Sequence, residues 1–209
     1  KYGKFRALDD LSMHIPKGAI YGFVGRNGAG KTTLIRLICG LQEPTKGTYS
    51  IYEINYKNKD IHKSRQRMGA VVETPSIYPD MSAEENLKEQ YRIIGVPSFD
   101  GIAALLKLVG LENAGKKKAG NFSLGMKQRL GIAIALAGNP DFIVLDEPTN
   151  GLDPQGIVEM RELILKLNRE YGITFLVSSH ILDELARLAT HYGFIDKGHI
   201  IKEISSAEL

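Results

Sequence analysis

The sequence predicts an α/β fold: a mostly parallel sheet covered by helices, with a helical subdomain inserted into it. Three observations carry that prediction. Short apolar runs of strand length alternate with segments whose apolar residues recur every three or four positions. A glycine-rich stretch stands between one such strand and one such helix. From about Ser82 to Leu136 the helical period takes over altogether. Length and composition agree, since 209 residues suffice for one or two domains, and 43% hydrophobic against 24% charged residues is ordinary for a chain with a sizeable core.

Taken in order, Leu11 to Ile20 shows short apolar alternation broken at Pro16-Lys17-Gly18, which reads as a strand and a turn before a second strand, Ile20 to Val24. Past the glycines, Leu34, Ile35, Leu37, Ile38 and Leu41 keep helical spacing, with Gly40 and Pro44 as a stop. Thr48 to Ile54 resembles a small antiparallel layer, Lys57 to Arg67 a charged, solvent-facing segment, and Gly69 to Val72 a short buried strand. Glu84 to Ile94, Ile102 to Val109 and Leu124 to Ala137 read as three helices, separated by Gly95-Val96-Pro97 and by Gly110 to Gly120. Strand Phe142 to Leu145, helix Gly156 to Asn168, strand Ile173 to Val177, helix Ile181 to Leu188 and strand Tyr192 to Ile195 complete the alternation. The expected organisation is a single domain over residues 1–209, with an α/β core in 1–80 and 139–209 and the helical subdomain in 81–138.

Several classes of function are excluded or left without support. The net charge of +3 is too mild to imply nucleic acid, and Lys116-Lys117-Lys118 reads as a solvated loop. The longest apolar stretches, such as Leu130 to Gly138, fall well short of the roughly 20 residues that cross a bilayer. The single thiol, Cys39, makes no internal disulfide and reads as a buried small hydrophobe. His14, His62, His191 and His199 have no metal-ligand spacing, and no secretory signal pattern is present.

Gly25-Arg26-Asn27-Gly28-Ala29-Gly30-Lys31-Thr32 matches GxxxxGK[ST] between strand and helix, the setting its mechanism needs. Glycines let backbone amides turn toward phosphate oxygens, and the helix start adds its positive end. Lys31 supplies a point charge to the β- and γ-phosphates, and the Thr32 hydroxyl is a magnesium ligand. A second acidic element follows the apolar run Phe142-Ile143-Val144-Leu145. Asp146 and Glu147 then fall at the C-terminal edge of a strand, where Asp146 can hold the magnesium shell and Glu147 can act as general base. The base-recognition sequence NKxD of GTPases is absent.

The order GRNGAGKTT, VVETP (Val71 to Pro75), NFSLGMKQR (Asn121 to Arg129), IVLDEPTNGLDP (Ile143 to Pro154) and SSH (Ser178 to His180) resembles the ATP-binding-cassette family, the ATPase subunits of ABC transporters, over essentially the whole chain. The resemblance implies a P-loop NTPase fold with a RecA-like core, a small antiparallel β layer and an inserted helical subdomain. It implies ATP and Mg2+ as ligands, nucleotide contacts along Gly25 to Thr33, and a head-to-tail homodimer, or a pair with a related ATPase subunit. Ser123, Leu124, Gly125 and Met126 would then act in trans on the partner's nucleotide. The family's common LSGGQ stands here as FSLGM, so the glutamine amide is lost, and Ser123 reads equally as a helix cap. The position of the family's magnesium-sensing glutamine holds Glu73, which keeps an oxygen ligand and adds charge. His180 is implied at the γ-phosphate and the catalytic water. Asp153 is implied in the inter-subunit loop, with a local cap as the other reading, and Tyr2 in stacking on adenine, with simple packing as the alternative. Glu73 and FSLGM together resemble the branch tied to bacteriocin or lantibiotic self-protection and peptide-antibiotic export. The function implied is ATP hydrolysis at the cytoplasmic face of the membrane, driving a separate permease that docks around Tyr78 to Tyr91. The alternatives are a soluble non-transport cassette ATPase and a weakly hydrolytic regulatory module.

Overall fold

The computed structural model describes residues 2–209. In chain order its elements are β1 (Ile20–Val24), α1 (Lys31–Ile38), the short strands β2 (Ser50–Ile51) and β3 (Ile54–Asn55), α2 (Ile61–Gln66), β4 (Met68–Val71), α3 (Ala83–Ile94), α4 (Ile102–Leu108) and α5 (Leu124–Leu136). There follow β5 (Phe142–Asp146), α6 (Pro154–Tyr171), β6 (Thr174–Ser179), α7 (Leu182–Ala186), β7 (His191–Asp196) and β8 (His199–Ser205).

The main sheet has the order β4-β5-β6-β1-β7-β8, parallel throughout except for β8, which runs antiparallel to β7. Both faces are covered, which is why β1, β5 and β6 read as continuous apolar runs. Alternation appears only in the direction of burial. Ile143 and Leu145 join the core beneath α5, α6 and α7, while Phe142 and Val144 join the core shared with α1. Val144, Leu145, Phe175 and Leu176 are all 0% exposed, and each such side chain contributes about 1.5–3 kcal/mol of burial.

Helices α3, α4 and α5 pack on one another, and α5 also lies on β4. The start of α3 is fixed by a reciprocal cap. Ser82 Oγ accepts from Glu85 N, and the Glu85 carboxylate accepts from Ser82 N at 2.7 Å. Where α5 passes the loop after β4, Gly131 leaves a notch: a Cβ there would sit 2.7 Å from Pro75 Cβ, so the proline ring rests on bare helix backbone.

Three segments depart from the sequence reading. Leu11 to Ile15 forms no strand. Its alternate residues Leu11, Met13 and Ile15 do pack on the α1-side core, but no ladder partner lies beside them. The charged segment before β4 contains α2, because Ile61 and Ser64 lie one helical turn apart and both face inward. Strand β8 was not read at all: it is an edge strand, mostly exposed, with a register shift opposite Phe194/Ile195 that blurs its period. Cys39 is half-buried rather than buried.

Candidate nucleotide-binding site

Parallel pairing places the C-terminal ends of β1, β5 and β6 side by side, with Val24 opposite Ser179 and Asp146 opposite Ser178. Gly25, Glu147 and His180 therefore leave the same edge of the sheet, where ligands of open α/β sheets bind. The loop from Gly25 to Gly30 has no room for side chains at its ends. A Cβ on Gly25 would lie 2.5 Å from the Ile195 carbonyl oxygen, and one on Gly30, which sits at φ 115°, would lie 2.6 Å from that of Ala7. Arg26, Asn27 and Gly28 form the exposed tip, whereas Ala29 is buried and its carbonyl accepts from Gly198 N at 2.8 Å. Helix α1 starts without a side-chain cap and without an acidic residue in its first turn. Its first N–H donors thus remain available to an anion.

Lys31 is only 5% exposed. Its ammonium donates to the Gly25 carbonyl at 2.5 Å and the Arg26 carbonyl at 3.3 Å, and lies 3.1 Å from Glu147 Oε1. That contact is an ion pair out of hydrogen-bond alignment, which leaves Glu147 Oε1 a buried oxygen with no donor. Thr32 Oγ1 donates to Asp146 Oδ2 at 2.9 Å, and Ser178 Oγ donates to Asp146 Oδ1 at 2.6 Å. The other Glu147 oxygen lies 2.7 Å from His180 Nδ1. An ionised Glu147 accepts there, so the hydrogen in this contact belongs to Nδ1. Glu147 itself has φ 51°, a left-handed backbone that costs a non-glycine residue about 1–2 kcal/mol. The Ser178 hydroxyl, which accepts from Glu147 N at 2.9 Å, helps to hold it.

The remaining expected residues lie around this centre in different states. Glu73, also left-handed at φ 62°, is engaged by the Arg36 guanidinium of α1 rather than by Thr32 or Asp146. Tyr2 lies against the outer side of α1, half exposed, with its hydroxyl donating to Gln42 Oε1 at 2.7 Å. Thr33 follows Thr32 in the first turn of that helix. Ser123 caps α5, accepting from Met126 N at 3.3 Å, and Asp153 caps α6, accepting from Gly156 N at 3.0 Å. Leu124 and Gly125 face Gly151 and Leu152 of the same chain. Among the described residues no hydrogen bond joins Ser123–Met126 to the glycine loop. Lys116 to Lys118 are exposed, with Lys118 3.8 Å from Glu85 and Lys117 over the Phe122 ring. No helix among the described residues is long and apolar enough to cross a membrane.

Two polar contributors went unforeseen. Ser178 is 0% exposed and bridges Asp146 to the Glu147 backbone, and its signal was a hydroxyl ending an otherwise apolar strand. Glu184, on α7, accepts from Thr149 Oγ1 at 2.6 Å and Ser179 Oγ at 3.1 Å. No sequence spacing marked it.

A glycine loop, a buried lysine and a threonine–aspartate pair at this sheet edge define a P-loop nucleotide-binding protein. The chain belongs to the ABC transporter family, whose model matches residues 8–150. It is 49% identical over 204 residues to the bacitracin transport ATP-binding protein BcrA of Bacillus licheniformis, covering 97% of this chain and 66% of that protein. It is 45% identical over 202 residues to the lantibiotic transport ATP-binding protein SrtF of Streptococcus pyogenes, covering 97% of this chain and 86% of that one. The chain thus spans about two thirds of the bacitracin relative's length. Among solved structures, the ATP-binding cassette MJ0796, dimeric in a post-hydrolysis state bound to ADP and Pi, superposes with a TM-score of 0.86 at 27% identity, over 99% of this chain and 94% of that one. The fold is that of an ATP-binding cassette, in the branch that Glu73 and FSLGM had indicated.

Proposed function

We propose that the chain binds and hydrolyses ATP as the motor subunit of a transporter, closing head-to-tail with a second cassette around two Mg-ATP. The observation that carries this reading is the packing of Lys31, Glu147 and His180 beside the Thr32–Asp146 pair at one sheet edge. Hard oxygens of Thr32 and Asp146 suit Mg2+, which takes its other ligands from phosphate and water. Bound Mg2+ would neutralise charge on the phosphates.

The chain's own residues supply the rest. Lys31 turns from the carbonyls of Gly25 and Arg26 to the phosphates, which leaves Glu147 Oε1 free to accept a proton from water. His180 holds the opposite carboxylate oxygen and orients the base. Tyr2 stacks on the adenine, and Glu73 completes the metal side once it leaves Arg36. Ser123, Leu124, Gly125 and Met126 act on the partner's nucleotide, and Asp153, in the inter-subunit loop, ties one active site to the other. Within this scheme residues 81–138 form the signature subdomain and the remainder the nucleotide-binding core. The permease docks near Glu73 at Tyr78, which is 47% exposed, and Tyr91, expected in the same surface, is instead buried at 7%. The subunit works peripherally at the cytoplasmic face; the names of the two relatives, bacitracin transport and lantibiotic transport, make a peptide antibiotic the favoured cargo, and the sequence resemblance makes export the favoured direction. Mg2+-dependent ATP turnover by the purified chain, with transport into vesicles when the permease is co-reconstituted, tests the proposal. No release of phosphate in either preparation would end it.

A further inference from the structure

We infer that Glu184 is a positioning residue for the Glu147–His180 pair, an inference that rests on the hydrolysis reading above. Glu147 and His180 come from different strands, and each must be held where its loop leaves the sheet. A single oxygen, Glu184 Oε2, accepts from Thr149 two residues after Glu147 and from Ser179 immediately before His180, at 2.6 and 3.1 Å. The Ser179 hydroxyl in turn accepts from Ile181 N at 3.0 Å, closing the turn that carries His180.

The clamp has work to do. Glu147 occupies a left-handed backbone, and such strain persists only when the surroundings over-determine it. Ser178 holds the residue from within the strand, and Glu184 ties the two loops a second time, outside the direct Glu147–His180 contact. The chemistry suits a carboxylate, whose oxygen accepts two hydroxyls at once, and the 2.6 Å contact falls in the range of charge-assisted bonds. Glu184 is set by its neighbour Leu185, which is 2% exposed and seats α7 in the core.

The test compares the full chain with Glu184→Ala and Glu184→Gln, the glutamine retaining one acceptor oxygen. Glu184→Ala lowers kcat for ATP by about 10- to 100-fold with KM within about twofold, the pattern of misplaced groups rather than lost binding, while Glu184→Gln keeps most of kcat. Amide exchange over residues 147–152 and 178–182 quickens in Glu184→Ala alone. Unchanged kcat and exchange in Glu184→Ala would overturn the inference, as would equal losses in both variants. Should Glu184→Ala fail to fold, Thr149→Val and Ser179→Ala each remove one donor, and each must lower kcat partway. If the unaltered chain shows no turnover, the hydrolysis reading fails separately, and the exchange measurement still decides the role of Glu184.

Discussion

The sheet edge around Lys31 and the tip of α5 around Ser123 carry the two halves of the proposed chemistry, and they are built in opposite ways. At the edge, Lys31, Asp146, Ser178 and Ser179 are all 5% exposed or less, and every one has a hydrogen-bond partner inside the chain. At the tip, Ser123 and Leu124 are exposed, and the Ser123 hydroxyl makes one cap contact at 3.3 Å. One half is finished by folding, and the other is offered outward.

That contrast can be broken most decisively at the base. Glu147→Gln keeps the shape of the side chain and removes its basicity, so ATP turnover should fall by about 10²- to 10⁴-fold while nucleotide binding persists. A comparably active variant, read by phosphate release, would remove Glu147 from its role. Ser123→Ala should also depress turnover, yet its thermal unfolding should change only as a lost helix cap does, by about 1 kcal/mol. The sharper form mixes the two defective proteins. If each site joins the sheet edge of one chain to the tip of another, a mixed pair contains one site with both defects and one with neither, and turnover should reappear on mixing. Silence in that mixture would mean the tip does not act in trans.

Smaller effects distinguish the regions by packing and titration. Gly131→Ala places a methyl against Pro75, and overpacking of this kind should lower stability by about 1–3 kcal/mol, measurable by urea unfolding. The Cys39 thiol, beneath the edge, is pushed up to about 11 by burial, with Arg65 opposing in part. Its alkylation should be slow at pH 7 and rise as pH approaches that value, since thiolate is the reactive form. Rapid labelling at neutral pH would show α1 opening readily.

How much of this was legible in the sequence follows the same division. The glycine loop and the Asp146-Glu147 strand end were readable because buried parallel strands are apolar throughout and the loop needs its residue types at fixed spacing. The helices α3, α4 and α5 were readable from period alone. Strand β8 was not, since an exposed edge strand has no face to enforce alternation. Glu184 was not, because an acidic residue early in a helix looks like an ordinary solvated one until the fold brings Thr149 and Ser179 beside it. The pairing of Glu73 with Arg36 was equally invisible, as it joins α1 to the loop after β4.

The bare stretch of helix at Gly131 has one more consequence. With Pro75 seated in it, the stretch of chain carrying Glu73 and the rod that carries Ser123 share a joint in which only the proline ring separates the two backbones. Protein interiors are too closely packed to absorb such a contact by compression. A shift of one partner is therefore handed to the other as displacement instead of being dissipated. Gly131, poor in helix-forming tendency, is the part that makes this stiff linkage fit.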